Sequence, residues 1–99
     1  MEKRLPIIIV VRLSRVPHLS TNEDEKTYTD NVSPHGARVF SRRFWQRGEQ
    51  AQVTPLKEES PMRGEVVYCQ RIDNDRFYVG LRFPECPVTW SALCRYDGK

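Results

Sequence analysis

Short apolar segments alternate with turn signals along the chain, and this pattern predicts six β-strands. The first predicted strand is a continuous apolar run, which is typical of a strand buried on both faces. The predicted strands cover residues 6–13, 26–32, 37–41, 50–56, 64–72 and 76–83. The polar triplet Asp73-Asn74-Asp75 separates the last two strands and predicts a β-hairpin.

The sixth predicted strand shows the clearest alternation. Phe77, Val79, Leu81 and Phe83 share one face, and polar residues, a tyrosine and a glycine occupy the other. Six short antiparallel strands favour an all-β barrel, because closing the sheet removes its exposed edges. Residues 88–95 could form a short C-terminal helix. We therefore expect a single domain over residues 1–99, with the barrel at about 5–84 and a helix or tail at 85–99.

Composition agrees with this fold class. The chain has 99 residues, enough for one independently folding core, and Val outnumbers Ala by 10 to 3. Leu, Ile, Val and Phe supply 24 residues, which is above the fraction typical of disordered chains. The formal net charge of +3 implies no particular partner by itself.

The apolar run at residues 6–11 is too short for a membrane span or a signal peptide, so we expect a cytoplasmic protein without membrane attachment. The three cysteines, Cys69, Cys86 and Cys94, form no Cys-x-x-Cys pair. They are expected to be free thiols, and no metal site is predicted.

The most informative segment is the turn Asn31-x-Ser33-x-x-Gly36. An asparagine amide both donates and accepts hydrogen bonds, which suits a ligand edge that carries both donors and acceptors. A serine hydroxyl is short enough to reach a ligand without filling the space, and glycine leaves room for a ligand near its amide. The alternative is a structural turn, in which Asn31 and Ser33 cap their own backbone and Gly36 takes the left-handed conformation.

This segment resembles the Asp/Asn-x-Ser-x-x-Gly motif of PilZ domains, which are small bacterial barrels. The order of the neighbouring segments also resembles that family, since residues 64–67 and the sequence Val-Gly-Leu-Arg-Phe at residues 79–83 are similar to its late hairpin. The resemblance implies a six-stranded antiparallel barrel, signalling rather than catalysis, and cyclic di-GMP as the ligand. Asn31, Ser33 and Gly36 would then bind that ligand.

The family's other motif is Arg-x-x-x-Arg, placed just before the first strand, whose guanidinium groups bind phosphate and stack on guanine. Arg4 lies where the second of these arginines is expected, and the first would fall before Met1. The sequence therefore either begins inside the motif or belongs to members that lack it. Arg43 and Arg47 have the same spacing but follow the Asn31 turn, and we interpret that spacing as coincidental.

Two other functions remain open at this point. The first is a PilZ-like protein–protein interaction module with weak or no nucleotide binding, using Phe44, Trp45, Tyr78 or Trp90 as contacts. The second is a nucleic-acid-binding barrel that stacks bases on Phe44 and Trp45 beside the neighbouring arginines. The low net charge and the acidic run at residues 23–25 oppose this function. The spacing of the two histidines indicates no catalytic arrangement and no cofactor, so an enzyme is not expected.

Overall fold

A computed structural model describes residues 5–16, 24–57 and 61–84 of the chain. Six antiparallel strands form a closed barrel in the order β1-β2-β3-β6-β5-β4, and β1 pairs with β4 to complete it. The strands are β1 (Val10–Val16), β2 (Glu25–Ser33), β3 (Gly36–Ser41), β4 (Gln50–Pro55), β5 (Met62–Asp73) and β6 (Arg76–Arg82). The predicted all-β, six-stranded barrel is confirmed. The predicted helix or tail at 85–99 lies outside the described residues.

Inward-facing aliphatic side chains from every strand fill the barrel, as period-2 alternation requires. In β6, Val79 and Leu81 are buried with Phe83 just beyond the strand, which confirms the face predicted from the sequence. The fully buried side chains include Val11, Leu13, Val32, Val39, Val53, Val66, Val79 and Leu81. The described ranges contain no helix long and apolar enough to cross a membrane.

The first strand begins later than the predicted range of residues 6–13 and continues further. In β1 (Val10–Val16), regular pairing starts only after the isoleucine run. Before it, the Thr29 hydroxyl accepts a hydrogen bond from the Ile9 amide and donates one to the Ile7 carbonyl, both at 2.8 Å. A continuous apolar run has no alternation to mark where pairing begins, so hydrophobicity alone put the strand too early.

The loop between β3 and β4 carries Trp45 into the barrel, where its side chain is only 2% exposed. Its indole N–H donates to the Ser41 hydroxyl at 3.2 Å, and the Arg15 guanidinium lies 4.2 Å from the ring centroid. Trp45 is therefore a core residue, and its prediction as an exposed aromatic contact or base-stacking residue is wrong. Its neighbour Phe44 is 58% exposed, as that prediction required.

Arg15 also secures the end of this loop by binding the Glu49 carboxylate and the Phe44 carbonyl. Burial tends to raise the pKa of Glu49, but hydrogen bonds from Arg15 and from the Gln46 amide outweigh it. The pKa of Glu49 is therefore lower than its ordinary value, and the carboxylate stays charged in this contact at neutral pH.

Candidate functional site at the Asn31 turn

A two-residue turn joins β2 to β3, and two of the predicted ligand-binding positions flank it. Ser33 and Gly36 face each other across the turn as the last strand pair, with Pro34 and His35 at its tip. The Ser33 side chain is fully buried, and its hydroxyl donates to the Gly36 carbonyl at 3.4 Å. The Ser33 hydroxyl is therefore part of the turn itself.

Gly36 lies in extended backbone at the start of β3, paired with both Ser33 and Arg82. The idea that Gly36 takes the left-handed conformation is wrong, because among the described glycines the positive φ, +94°, occurs at Gly48. The turn tip is fixed to β6 through the Phe83 amide, which donates to the His35 carbonyl at 3.0 Å. The His35 side chain is exposed.

A β-bulge in β2 places two consecutive polar side chains on the outer face of the barrel. Thr29 pairs with Val39, but the next pair is Asn31 with Arg38, so Asp30 is the extra residue. The register shift leaves Thr29 facing the core and lets Asp30 join Asn31 outside. The Asn31 amide donates to the Asp30 carboxylate at 3.2 Å.

Arg38 on β3 lies beside these residues and is held from several sides. Its Nε donates to the Asp30 carboxylate at 2.7 Å, and its Nη2 binds the same oxygen. The guanidinium carbon lies 4.2 Å from the centroid of the Tyr78 ring on β6. The hydrogen bond to Asp30 is the main reason that the pKa of Arg38 is above its ordinary value, and contact with Tyr68 adds to it.

The outer face continues across β6 to β5 through Gly80. Gly80 pairs with Arg38 on one side and with Tyr68 on the other. A Cβ at Gly80 would lie only 2.2 Å from Cε2 of Tyr68, so the absence of a side chain lets the tyrosine ring lie against the backbone there. A second bulge, between Val66 and Tyr68, accompanies the outward position of Tyr68.

The structure thus brings Asn31, Ser33 and Gly36 together at one end of the barrel. Arg4 lies outside the described residues, but Leu5, which follows it, pairs with Val32 through two backbone hydrogen bonds of 3.0 Å. The described chain therefore starts directly beside the motif.

Sequence reasoning did not assign Asp30, Arg38 or Tyr68 to this site. The position of Arg38 could have been predicted by following both strands away from the turn. If Ser33 pairs with Gly36, the next pairs are Val32 with Ala37 and then Asn31 with Arg38. The positions of Asp30 and Tyr68 could not be predicted in this way, since each depends on a bulge that alternation does not reveal.

A groove lies at the ends of β2 and β3 that are opposite to the Asn31 turn. This groove has a volume of about 510 Å³ and contains the packed rings of Tyr28 and Phe40, whose centroids are 4.7 Å apart. Its charged lining residues are the cations Lys26, Arg42, Arg43 and Arg76 and the acids Asp24 and Glu25. The Glu25 carboxylate accepts hydrogen bonds from the Ser41 hydroxyl and the Arg42 amide, so it helps to build the groove wall.

Comparison with known proteins gives three findings. The sequence model of the PilZ domain family matches residues 2–89. The fold is similar to that of the Bacillus subtilis inhibitor of motility (MotI/DgrA), with a TM-score of 0.57 and 15% sequence identity over 97% of this chain and 46% of that protein. The chain thus spans less than half of that protein's length, and at this identity the likeness concerns the fold alone. No curated protein matches in sequence.

Proposed function

This chain belongs to the PilZ domain family, and we propose that it is a receptor module that binds the bacterial second messenger cyclic di-GMP. The observation that carries the proposal is the position of Asn31. Its side chain lies on the outer face, half-buried, directly beside the two-residue turn that Ser33 and Gly36 close. A partly desolvated amide in a fixed position can pair with the edge of a guanine base.

In this proposal the other motif residues have separate roles. Ser33 and Gly36 set the shape of the turn, because the hydroxyl is buried within it and the glycine starts β3. We assign phosphate binding and stacking on guanine to Arg4, since a guanidinium group does both. Support for Arg4 comes from its neighbour Leu5, which pairs with Val32 beside Asn31. The proposed site is for binding, and no catalytic residue or further cofactor is assigned.

Isothermal titration of the chain with cyclic di-GMP tests this function. Asn31→Ala is expected to weaken binding by about tenfold or more, because it leaves the desolvated edge of the bound base without its hydrogen-bond partner. Asn74→Ala is the matched control, since Asn74 is an exposed asparagine at the tip of the β5–β6 hairpin, and it should bind like the wild type. A folded wild-type chain that gives no binding heat at about 100 μM ligand would contradict the proposal.

The groove favours a second candidate function, that of a protein–protein interaction module. Aromatic residues and arginine are enriched at surfaces that bind protein partners. Tyr28 and Phe40 supply the rings, while Arg42 and Arg43 are exposed beside them. The titration separates the two functions, because binding that depends on Asn31 supports the receptor, whereas a folded chain without nucleotide binding leaves the interaction module.

A further inference from the structure

Arg38 is already arranged as an anion-binding group, although no recognised motif includes it. Its register partners place it between Asn31 on β2 and Gly80 on β6, next to the proposed nucleotide site. Its side chain is about one-third exposed, so a ligand on the outer face can reach it. The Arg38 guanidinium uses two of its nitrogens, Nε and Nη2, on the carboxylate of Asp30.

Aromatic contacts fix the orientation of that guanidinium. The Tyr78 ring lies under it, with 4.2 Å from the guanidinium carbon to the ring centroid. The Tyr78 ring in turn packs against Phe40, with 5.0 Å between centroids. Gly80 on β6 pairs with Arg38 on β3 and with Tyr68 on β5, and its missing Cβ makes space for the Tyr68 ring. An arginine fixed in this way loses little conformational entropy when it exchanges one anionic partner for another.

A phosphodiester presents the same kind of acceptor to arginine as a carboxylate does. Both are anions with oxygens that match two parallel N–H groups of a guanidinium. Asp30 therefore occupies donors that a phosphate of the ligand could use. The Asp30 position follows from the bulge in β2, which places the carboxylate on the outer face beside Arg38.

We propose that Arg38 binds a phosphate of the cyclic dinucleotide and that Asp30 is its internal competitor, so that ligand binding exchanges the Asp30 carboxylate for the phosphate. This inference rests on the proposed function and adds two residues to its site. The proposal predicts weaker ligand binding when Arg38 is replaced and stronger ligand binding when Asp30 is replaced. A purely structural ion pair would not give opposite effects on binding.

The test is isothermal titration of cyclic di-GMP into folded variants of the whole chain. Arg38→Met, which keeps an apolar stem over Tyr78, is expected to weaken binding by about tenfold to a hundredfold. Asp30→Asn should strengthen binding by about two- to fivefold, because it frees the guanidinium while keeping an acceptor for the Asn31 amide. The double variant should bind like Arg38→Met alone, since there is then no arginine to release.

Arg76 and Asp73 provide the matched control pair. They form an exposed ion pair at the tip of the β5–β6 hairpin, far along the strands from the Asn31 turn. Asp73→Asn and Arg76→Met should each bind like the wild type, and circular dichroism melts should show that every variant is folded.

The possible outcomes test separately the role of Arg38, the role of Asp30, the specificity of the site and the proposed function. An Arg38→Met variant that binds like the wild type overturns the role of Arg38, and weaker or unchanged binding by Asp30→Asn overturns the role of Asp30 as competitor. Loss of binding in the hairpin controls as well would assign the effect to general charge and overturn the specific site. A folded wild type that does not bind overturns the proposed function itself, before any variant is measured.

Discussion

Replacing Trp45 with alanine is expected to lower the free energy of unfolding by about 3–5 kcal/mol, the usual cost of removing a buried tryptophan. The side chain is 2% exposed and packs among core residues such as Val39 and Val79. Its loss also leaves the Ser41 hydroxyl without the indole donor and Arg15 without its ring contact. Since single domains are stable by about 5–15 kcal/mol, a substantial fraction of that stability would be lost.

Urea unfolding followed by far-ultraviolet circular dichroism measures this change, and the neighbouring Phe44 is its control. Phe44 is 58% exposed and contacts Phe77 edge-on with 6.0 Å between centroids. Phe44→Ala should therefore cost less than about 1 kcal/mol. Equal losses for the two substitutions would contradict the assignment of Trp45 as the residue that anchors this loop in the core.

Thr29→Val is expected to destabilise the barrel by about 2–4 kcal/mol although it preserves the shape of the side chain. The buried Thr29 hydroxyl satisfies the Ile9 amide and the Ile7 carbonyl, and valine leaves both backbone groups without that partner. The cost arises because the Thr29 hydroxyl takes the place of a backbone partner for the Ile9 amide and the Ile7 carbonyl.

Thr29→Ser separates the hydroxyl from the methyl group. Serine keeps both hydrogen bonds and loses one buried methyl, so it should cost about 1 kcal/mol. The two variants can be compared by their urea midpoints under identical conditions. If serine destabilised the fold more than valine does, packing of the methyl group rather than the hydrogen bonds would hold residues 5–9 against β2.

The strands β2 to β6 were predictable because turn signals separate the short segments that form them, and β6 also alternates between an inner and an outer face. Alternation in β6 correctly assigned Val79 and Leu81 to the core, and the turn triplet at residues 73–75 correctly located the last hairpin. Where alternation was absent, prediction failed. The isoleucine run has no alternation that shows where pairing begins, so the start of β1 was predicted too early in the chain.

The candidate site was predictable in part for the same reason. The spacing of Asn31, Ser33 and Gly36 identified the turn, and the structure brings them together. The surrounding face depends on bulges in β2 and β5, and each bulge changes which side chains point outward without leaving a mark in the hydrophobic pattern. For that reason the outward positions of Asp30 and Tyr68 could not be predicted from the sequence and were found only in the structure.

Trp45 shows a different limit of sequence reasoning. It follows the exposed Phe44 in a loop rich in arginine, which made both aromatic residues plausible contacts for a partner. The sequence does not show that Arg15 and Ser41 are positioned to receive one ring and not the other. Loop side chains follow neither of the two periodicities on which strand and helix prediction depends.

The most direct test of the central claim, that cyclic di-GMP binds on the outer face beside the Asn31 turn, is a nuclear magnetic resonance titration of the ¹⁵N-labelled chain. The account predicts that backbone amide signals of Asn31, Val32, Ser33, His35, Gly36, Arg38 and Gly80 shift with a common saturation curve, while those of Arg43 and Arg76 in the groove stay in place. Shifts confined to the groove, or no shifts at saturating ligand, would contradict it.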